Sequence, residues 1–103
     1  MKAKIKYVPT PGYRLRVIQS VKFRKSHWTF AQAKRWLKKY GFKIGRTDET
    51  ENYYWFRQID PDQMTPIFRT LIVRHHPGVQ LTIGNLKSKY KKNYKFIPLP
   101  ERE

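Results

Sequence analysis

Thr29–Gly41 reads TFAQAKRWLKKYG, and it carries both a start and a stop signal for a helix. Thr29 is a good N-cap, and Gln32 three residues on completes a capping box, in which each side chain satisfies an orphan backbone N–H of the other. Gly41 stands where a left-handed C′ residue is wanted, and Lys38 and Lys39 lie near the negative end of the helix dipole. At about 100° per residue, Trp36, Tyr40, Ala33, Leu37 and Phe30 share one continuous arc. Lys34, Arg35, Lys38 and Lys39 share the opposite arc, with no acid among them.

That sorting of charge bears on function. An exposed helix face ordinarily mixes Glu with Lys, because opposite charges at i,i+4 each contribute about 0.2–0.5 kcal/mol. Here the i,i+4 pairs are Lys34/Lys38 and Arg35/Lys39, like against like, which costs a similar amount. Either the face is simply solvated, or a bound polyanion offsets the repulsion.

Upstream of the helix, Lys2–Val8 alternates Ala3, Ile5 and Tyr7 against Lys2, Lys4 and Lys6, a strand pattern with one basic face. Pro9–Gly12 is a turn or rigid spacer. Tyr13–Val21 reads as a second strand, Leu15 and Val17 inward and Arg14 and Arg16 outward. The two strands can form a hairpin, or residues 1–12 can be a loose basic N-terminal arm or edge strand. Ser26-His27-Trp28 leads into the helix.

Downstream, Phe42–Gly45 is a short strand or connector, and Arg46–Asn52, RTDETEN, has turn composition. Tyr53–Ile59 is a strand with Tyr53, Trp55 and Ile59 on one face and Tyr54 and Phe56 on the other, its aromatics expected in the core. Asp60-Pro61-Asp62 ends it. Ile67–Arg74 and Val79–Ile83, joined by a turn at His75–Gly78, make the clearest hairpin. From Asn85 the periodicity is lost and lysines crowd in, so residues 85–103 read as a Lys-rich C-terminal tail that orders on a partner. The expected architecture is α+β: one amphipathic helix packed on an antiparallel sheet of about four strands, core 13–84, with basic N- and C-terminal arms.

Composition bounds the function. A chain of 103 residues is one domain by length, and 39% hydrophobic with 16% aromatic residues is enough for a folded core. Without cysteine, no disulfide scaffold or thiolate metal site is open to it. No apolar run approaches the ~20 residues of a membrane span, and MKAKIKY has no signal-peptide core. A soluble, intracellular protein is therefore expected, with no membrane partner. The 23 Lys and Arg against 7 Asp and Glu, net +16, point to an anionic partner. No acid precedes Asp48, and none lies between Gln63 and Pro100; a surface evolved only for solubility would intersperse the signs.

Three groups of cations can meet phosphates: Lys34, Arg35, Lys38 and Lys39 on the helix; Lys22, Arg24 and Lys25 before it, with Arg14 and Arg16; and Lys87, Lys89, Lys91, Lys92 and Lys95 in the tail, interleaved with Tyr90, Tyr94 and Phe96. Cations release counterions and exposed aromatics stack on bases. With about six phosphates contacted, log K falls against log salt with a slope near −5. Tail lysines are equally what a solubilising terminus contains. There is no Cys/His finger, RNP-like aromatic consensus, GXXG clamp or heptad zipper, so backbone-dominated contacts with little sequence selectivity are expected.

Catalytic and metal readings fare worse. The adjacent His75 and His76 splay to opposite sides of an extended chain, Ser26-His27 lacks both geometry and an orienting acid, and Asp48, Glu49, Glu51, Asp60 and Asp62 match no calcium-loop spacing. Neither an enzyme nor a cofactor or metal is expected. The helix has the basic, Trp-bearing amphipathicity of interfacial helices, but it is short and its apolar stripe is needed for a core.

The string W-T-x-x-Q-A-K-x-W-L-K-x-x-G-F-K over Trp28–Lys43, with D-E-T-E-N-Y-Y-x-F-R-Q-x-D-P over Asp48–Pro61, resembles a small domain of unknown function. That domain occurs in proteins of tailed phages and large DNA viruses, sometimes ahead of a prohead-protease-like region. The resemblance implies a viral or mobile-element origin, and with it a host cytoplasm or a virion as the location, and carries no hydrolysis over. It also suggests that Asp48, Glu49, Asn52, Tyr54, Arg57 and Gln58 form a structured polar site, with Arg57 paired to the acidic turn, or that they brace turn and sheet. The expected function is thus a non-enzymatic basic DNA- or RNA-binding protein. The alternatives are a virion structural or assembly protein meeting acidic capsid surfaces, and an inhibitor of a host nucleic-acid enzyme.

Overall fold

The helix forms where its caps place it. In the computed structural model, which describes residues 3–8 and 16–98, α1 spans Phe30–Lys39. Thr29 Oγ1 accepts the Gln32 N–H at 3.1 Å while Gln32 Oε1 accepts the Thr29 N–H at 2.9 Å, both halves of the capping box. Gly41 ends the helix with φ +75°, a conformation that side chains resist, and Phe42 N then donates to Leu37 O at 2.8 Å.

Among the described residues the sheet has seven strands, more than expected: β1 Ala3–Val8, β2 Arg16–Arg24, β3 Thr47–Glu49, β4 Tyr53–Arg57, β5 Met64–Ile72, β6 Val79–Leu86 and β7 Tyr94–Pro98. The nine-residue β2 is its spine. One edge of β2 pairs antiparallel with β6, and the other is divided, Arg16 and Val17 meeting β1 and Ser20–Arg24 meeting β4. A bulge between Ile18 and Ser20 separates the two halves. The extra residue is Gln19, whose carbonyl accepts from Gln58 N and Ile59 N at 2.7 and 3.2 Å and whose side-chain amide donates to Ile59 O at 3.1 Å. A bulge bends its strand, so β2 can face two clusters.

The main cluster lies under the helix: Ile18, Val21 and Phe23 of β2, Phe56 of β4, and Val79, Leu81 and Ile83 of β6 against Ala33, Trp36, Leu37 and Phe42. Phe23 is its hub, edge-on to Trp28, Trp36 and Phe56 at 5.3–5.6 Å. The fully buried Phe23 and Phe56 each contribute about 1.5–3 kcal/mol of transfer free energy, with further gain from the edge-to-face geometry. A second cluster joins Ile5, Val17, Ile59, Met64 and Leu86, with Tyr7, Tyr90, Tyr94 and Phe96 packed on it. Val17 and Ile18 are neighbours on one strand and so point to opposite sides; the second cluster is on the face away from α1.

The α+β class holds, with two corrections to the expected sheet. It is mixed, because β7 runs parallel to β1, from Ala3 beside Tyr94 to Tyr7 beside Pro98. The acidic segment also supplies a strand, β3, paired to β4 with Asp48 opposite Trp55. The tail is likewise corrected as far as Pro98: β6 runs to Leu86, a 3-10 turn spans Ser88–Asn93, and β7 follows. Tyr90, Tyr94 and Phe96 are thereby committed to the second cluster and are not free to stack on bases. Alternation explains it, since Lys95 stays exposed while its neighbours turn inward. At the other end, β1 lies between β2 and β7, so Ala3–Val8 is neither a loose arm nor an edge. The readings placed on Lys2, Pro9–Gly12, Tyr13, Arg14, Leu15 and residues 99–103 lie outside the described residues. The β5–β6 hairpin is as expected, with Gly78 at φ +83° in its turn.

Candidate nucleic-acid interface

Docking through Ala33, Trp36 and Leu37 turns Lys34, Arg35, Lys38 and Lys39 outward, all four exposed. Three ion pairs occur among the described residues, Lys25–Glu49, Arg46–Asp48 and Arg57–Asp48, and none involves these four. Lys34 Nζ lies 5.4 Å from the Phe30 ring centroid and Lys39 Nζ 5.4 Å from that of Tyr40. The aliphatic stems thus cover aromatic surface while the ammonium groups stay in water.

Beside this face opens a cleft of about 350 Å³ lined by His27, Trp28, Gln32, Arg35, Trp36 and Lys39. Its two indoles are held at their polar tips. Trp28 Nε1 donates to Pro77 O at 2.7 Å, and Trp36 Nε1 donates to His76 Nδ1 at 3.2 Å. His76 also packs edge-on against Trp36 and Tyr40, both at 5.6 Å. Two cations at the rim of an anchored aromatic cleft can hold a phosphate while an adjacent base meets the rings.

Lys22, Arg24, Lys25 and the lysines at residues 87–92 do not join this face. Lys22 and Arg24 alternate with Val21 and Phe23, so they lie on the side of β2 away from the helix. Lys22 Nζ sits there between the rings of Tyr53 and Trp55, 4.3 and 4.7 Å from their centroids. Lys25 is engaged by Glu49 and packs 5.1 Å over Tyr54. Lys87, Lys89, Lys91 and Lys92 are exposed on and beside the 3-10 turn whose Tyr90 packs on the second cluster, hence again on the far side. The fold divides the basic residues between two faces, and among the described residues only the helix quartet forms a patch next to the cleft.

The six residues suggested as a polar site lie on β3, on β4 and in the segments beside them, and their contacts brace neighbouring elements. Arg57 Nη2 stands 3.7 Å from Asp48 Oδ2, Glu49 holds Lys25, and Asn52 O accepts the Lys25 N–H at 2.8 Å. Gln58 clamps the chain after the helix, accepting from Lys43 N at 2.8 Å and donating to Lys43 O at 3.0 Å. Tyr54 packs edge-on against Phe30 at 5.4 Å. Among the described residues, no three His, Asp or Glu side chains converge as around a metal ion. No described helix is long and apolar enough to cross a membrane.

Missing from the sequence reading were the anchored indoles. The residues that hold them, Pro77 and His76, are 49 and 40 positions away, and only the apolar spacing of Trp36 hinted at its packing.

Fold and site together define a small α+β protein with one basic helix on a mixed sheet. Compared with known proteins, the chain matches no family model, no curated protein and no solved structure.

Proposed function

We propose that this is a non-enzymatic basic protein that binds DNA or RNA through phosphate contacts with little sequence selectivity, and that it comes from a virus or phage. One observation carries the binding: Lys34, Arg35, Lys38 and Lys39 are exposed together, without an ion pair among the described residues. Their i,i+4 repulsion is an arrangement that bound phosphates would relieve. The origin rests on the resemblance at Trp28–Lys43 and Asp48–Pro61.

The test is a gel-shift titration at two salt concentrations against single- and double-stranded DNA and RNA. Reversing all four residues to Glu should abolish binding while circular dichroism shows the fold intact. Neutralising four phosphate contacts corresponds to about 3–4 units of log–log salt slope on duplex DNA. Undiminished affinity in the reversed protein overturns the assignment.

A second reading, an assembly protein, is favoured by β5. Among the described residues this strand pairs only with β6, and it exposes Ile67, Phe68, Leu71 and Ile72, Ile67 and Ile72 by about 70%. Long apolar edge strands invite pairing with another chain. Sedimentation without nucleic acid separates the two: self-assembly or capsid binding favours assembly, and a salt-sensitive complex with bare DNA favours the first reading.

A further inference from the structure

Where the chain leaves α1, a second hollow of about 270 Å³ opens between the Gly41–Lys43 segment and β1 and β7. Its walls are apolar, Phe42 and Ile97 with the fully buried Ile18 behind them, and its rim carries Lys4, Lys6 and Lys43. The sheet register adds Lys95, paired with Lys4 across β1 and β7 and so on the same side. Among the described residues, no carboxylate lines it.

The walls are fixed before any ligand arrives. Phe42 stacks on Trp36 with centroids 5.6 Å apart and planes at 14°. The two Gln58 bonds to Lys43 hold the rim segment to the sheet. Lys6 Nζ stands 5.5 Å from the Phe42 centroid, and a Cβ at Gly41 would lie 3.3 Å from it. An apolar, aromatic-walled slot with several ammonium groups at its mouth suits a flat ring joined to a phosphate. Its volume falls just below the range of about 300–1,000 Å³ usual for small-molecule pockets, which fits one ring system and not an extended apolar chain.

We infer that this hollow receives a single unstacked nucleotide, its base against Ile97 and the exposed edge of Phe42 and its phosphate among Lys4, Lys6 and Lys43. The inference rests on the nucleic-acid reading and deepens it. Because the slot follows directly on the last turn of α1, a strand laid along Lys34–Lys39 arrives at it, and the preferred ligand becomes single-stranded.

The experiment adds adenosine and cytidine monophosphates to the isotope-labelled protein and follows its amide spectrum. Saturable shifts are expected at Lys6, Gly41, Phe42 and Lys43, and the triple variant K4Q/K6Q/K43Q should weaken mononucleotide binding about tenfold. Duplex DNA binding by that variant should change by no more than about twofold. If the four amides do not shift in the wild-type protein, the slot is not a nucleotide site, whatever the variant does. If they shift but the triple variant binds mononucleotide as well as wild type, the lysine rim is wrong and the proposal falls. Either result leaves the helix reading standing as long as duplex DNA still binds and the helix reversal abolishes it. Loss of all polynucleotide binding by the wild-type protein would sink both.

Discussion

The indole N–H of Trp36 donates to Nδ1 of His76 at 3.2 Å, tying the inner face of α1 to the turn between β5 and β6. The bond assigns the His76 proton to Nε2 in the neutral ring, because an accepting Nδ1 must carry a lone pair. It also keeps Trp36 in place as one wall of the cleft and as the stacking partner of Phe42. His76→Ala leaves a half-buried N–H without its acceptor and removes two ring contacts, an expected loss of about 1–3 kcal/mol in urea denaturation. His76→Gln, which can offer an oxygen to the indole, should recover part of it. Equal losses in the two variants would show that the hydrogen bond contributes nothing.

Lys34→Glu should separate stability from binding. A carboxylate four residues before Lys38, in the first half of the helix, replaces repulsion with attraction and complements the helix dipole. The melting temperature should rise, by the equivalent of about 0.5–1 kcal/mol, while affinity for DNA or RNA falls. A variant that melts lower, or binds as well as wild type, contradicts the account of this face.

Gly78 turns the β5–β6 hairpin at φ +83°, and a Cβ there would stand 3.1 Å from His27 Cβ and 3.2 Å from the Trp28 indole. Gly78→Ala meets both an unfavourable backbone and the anchored indole, and should cost upwards of about 1 kcal/mol. Thermal melting checks it, and Trp28 fluorescence should shift with the displaced ring.

Burial raises the Tyr94 phenol above its ordinary value of 10.0, outweighing the hydrogen bond with Gln63, which lowers it, while Asp60 adds a smaller upward push. Below pH 10 the phenol is neutral in both folded and unfolded chains, and the stabilising difference is fully present. As pH rises past 10 the unfolded chain ionises first, so stability declines until the folded-state value is passed. Tyr94→Phe should flatten that part of the alkaline stability curve. A curve of unchanged slope would mean that Tyr94 is not responsible.

Lys25 and Lys22 make the counter-case to the helix quartet. One is engaged by Glu49, and the other lies between Tyr53 and Trp55. Lys25→Ala and Lys22→Ala should therefore lower stability, by up to about 1 kcal/mol for the exposed ion pair and by a similar amount for the cation–π contacts. Neither should shift the DNA titration by more than about twofold. A larger effect on binding would extend the interface to the far side of the sheet.

Much of this was legible locally. The limits of α1, its apolar and basic arcs, the split of Tyr54 and Phe56 from Tyr53 and Trp55, and the β5–β6 hairpin all follow from side-chain periods and caps within a few residues. β7 was not legible, because its partner β1 lies some ninety positions earlier and five lysines conceal the short alternation of Tyr94 and Phe96. Nor was the bulge at Gln19, which bends β2 between two clusters and leaves no mark in composition.

By itself, then, the order of residues determined where the helix begins and ends, which of its sides is cationic, and that the chain carries a net charge of +16. Only the tertiary structure decided which cations share a face: the quartet on α1, Lys22 and Arg24 behind the sheet, and Lys4, Lys6 and Lys43 around one hollow. The reason is geometric. Caps and periodicity act over one or two turns, whereas the side of the sheet on which a residue emerges depends on strand register and on a bulge, and both are set by partners far along the chain.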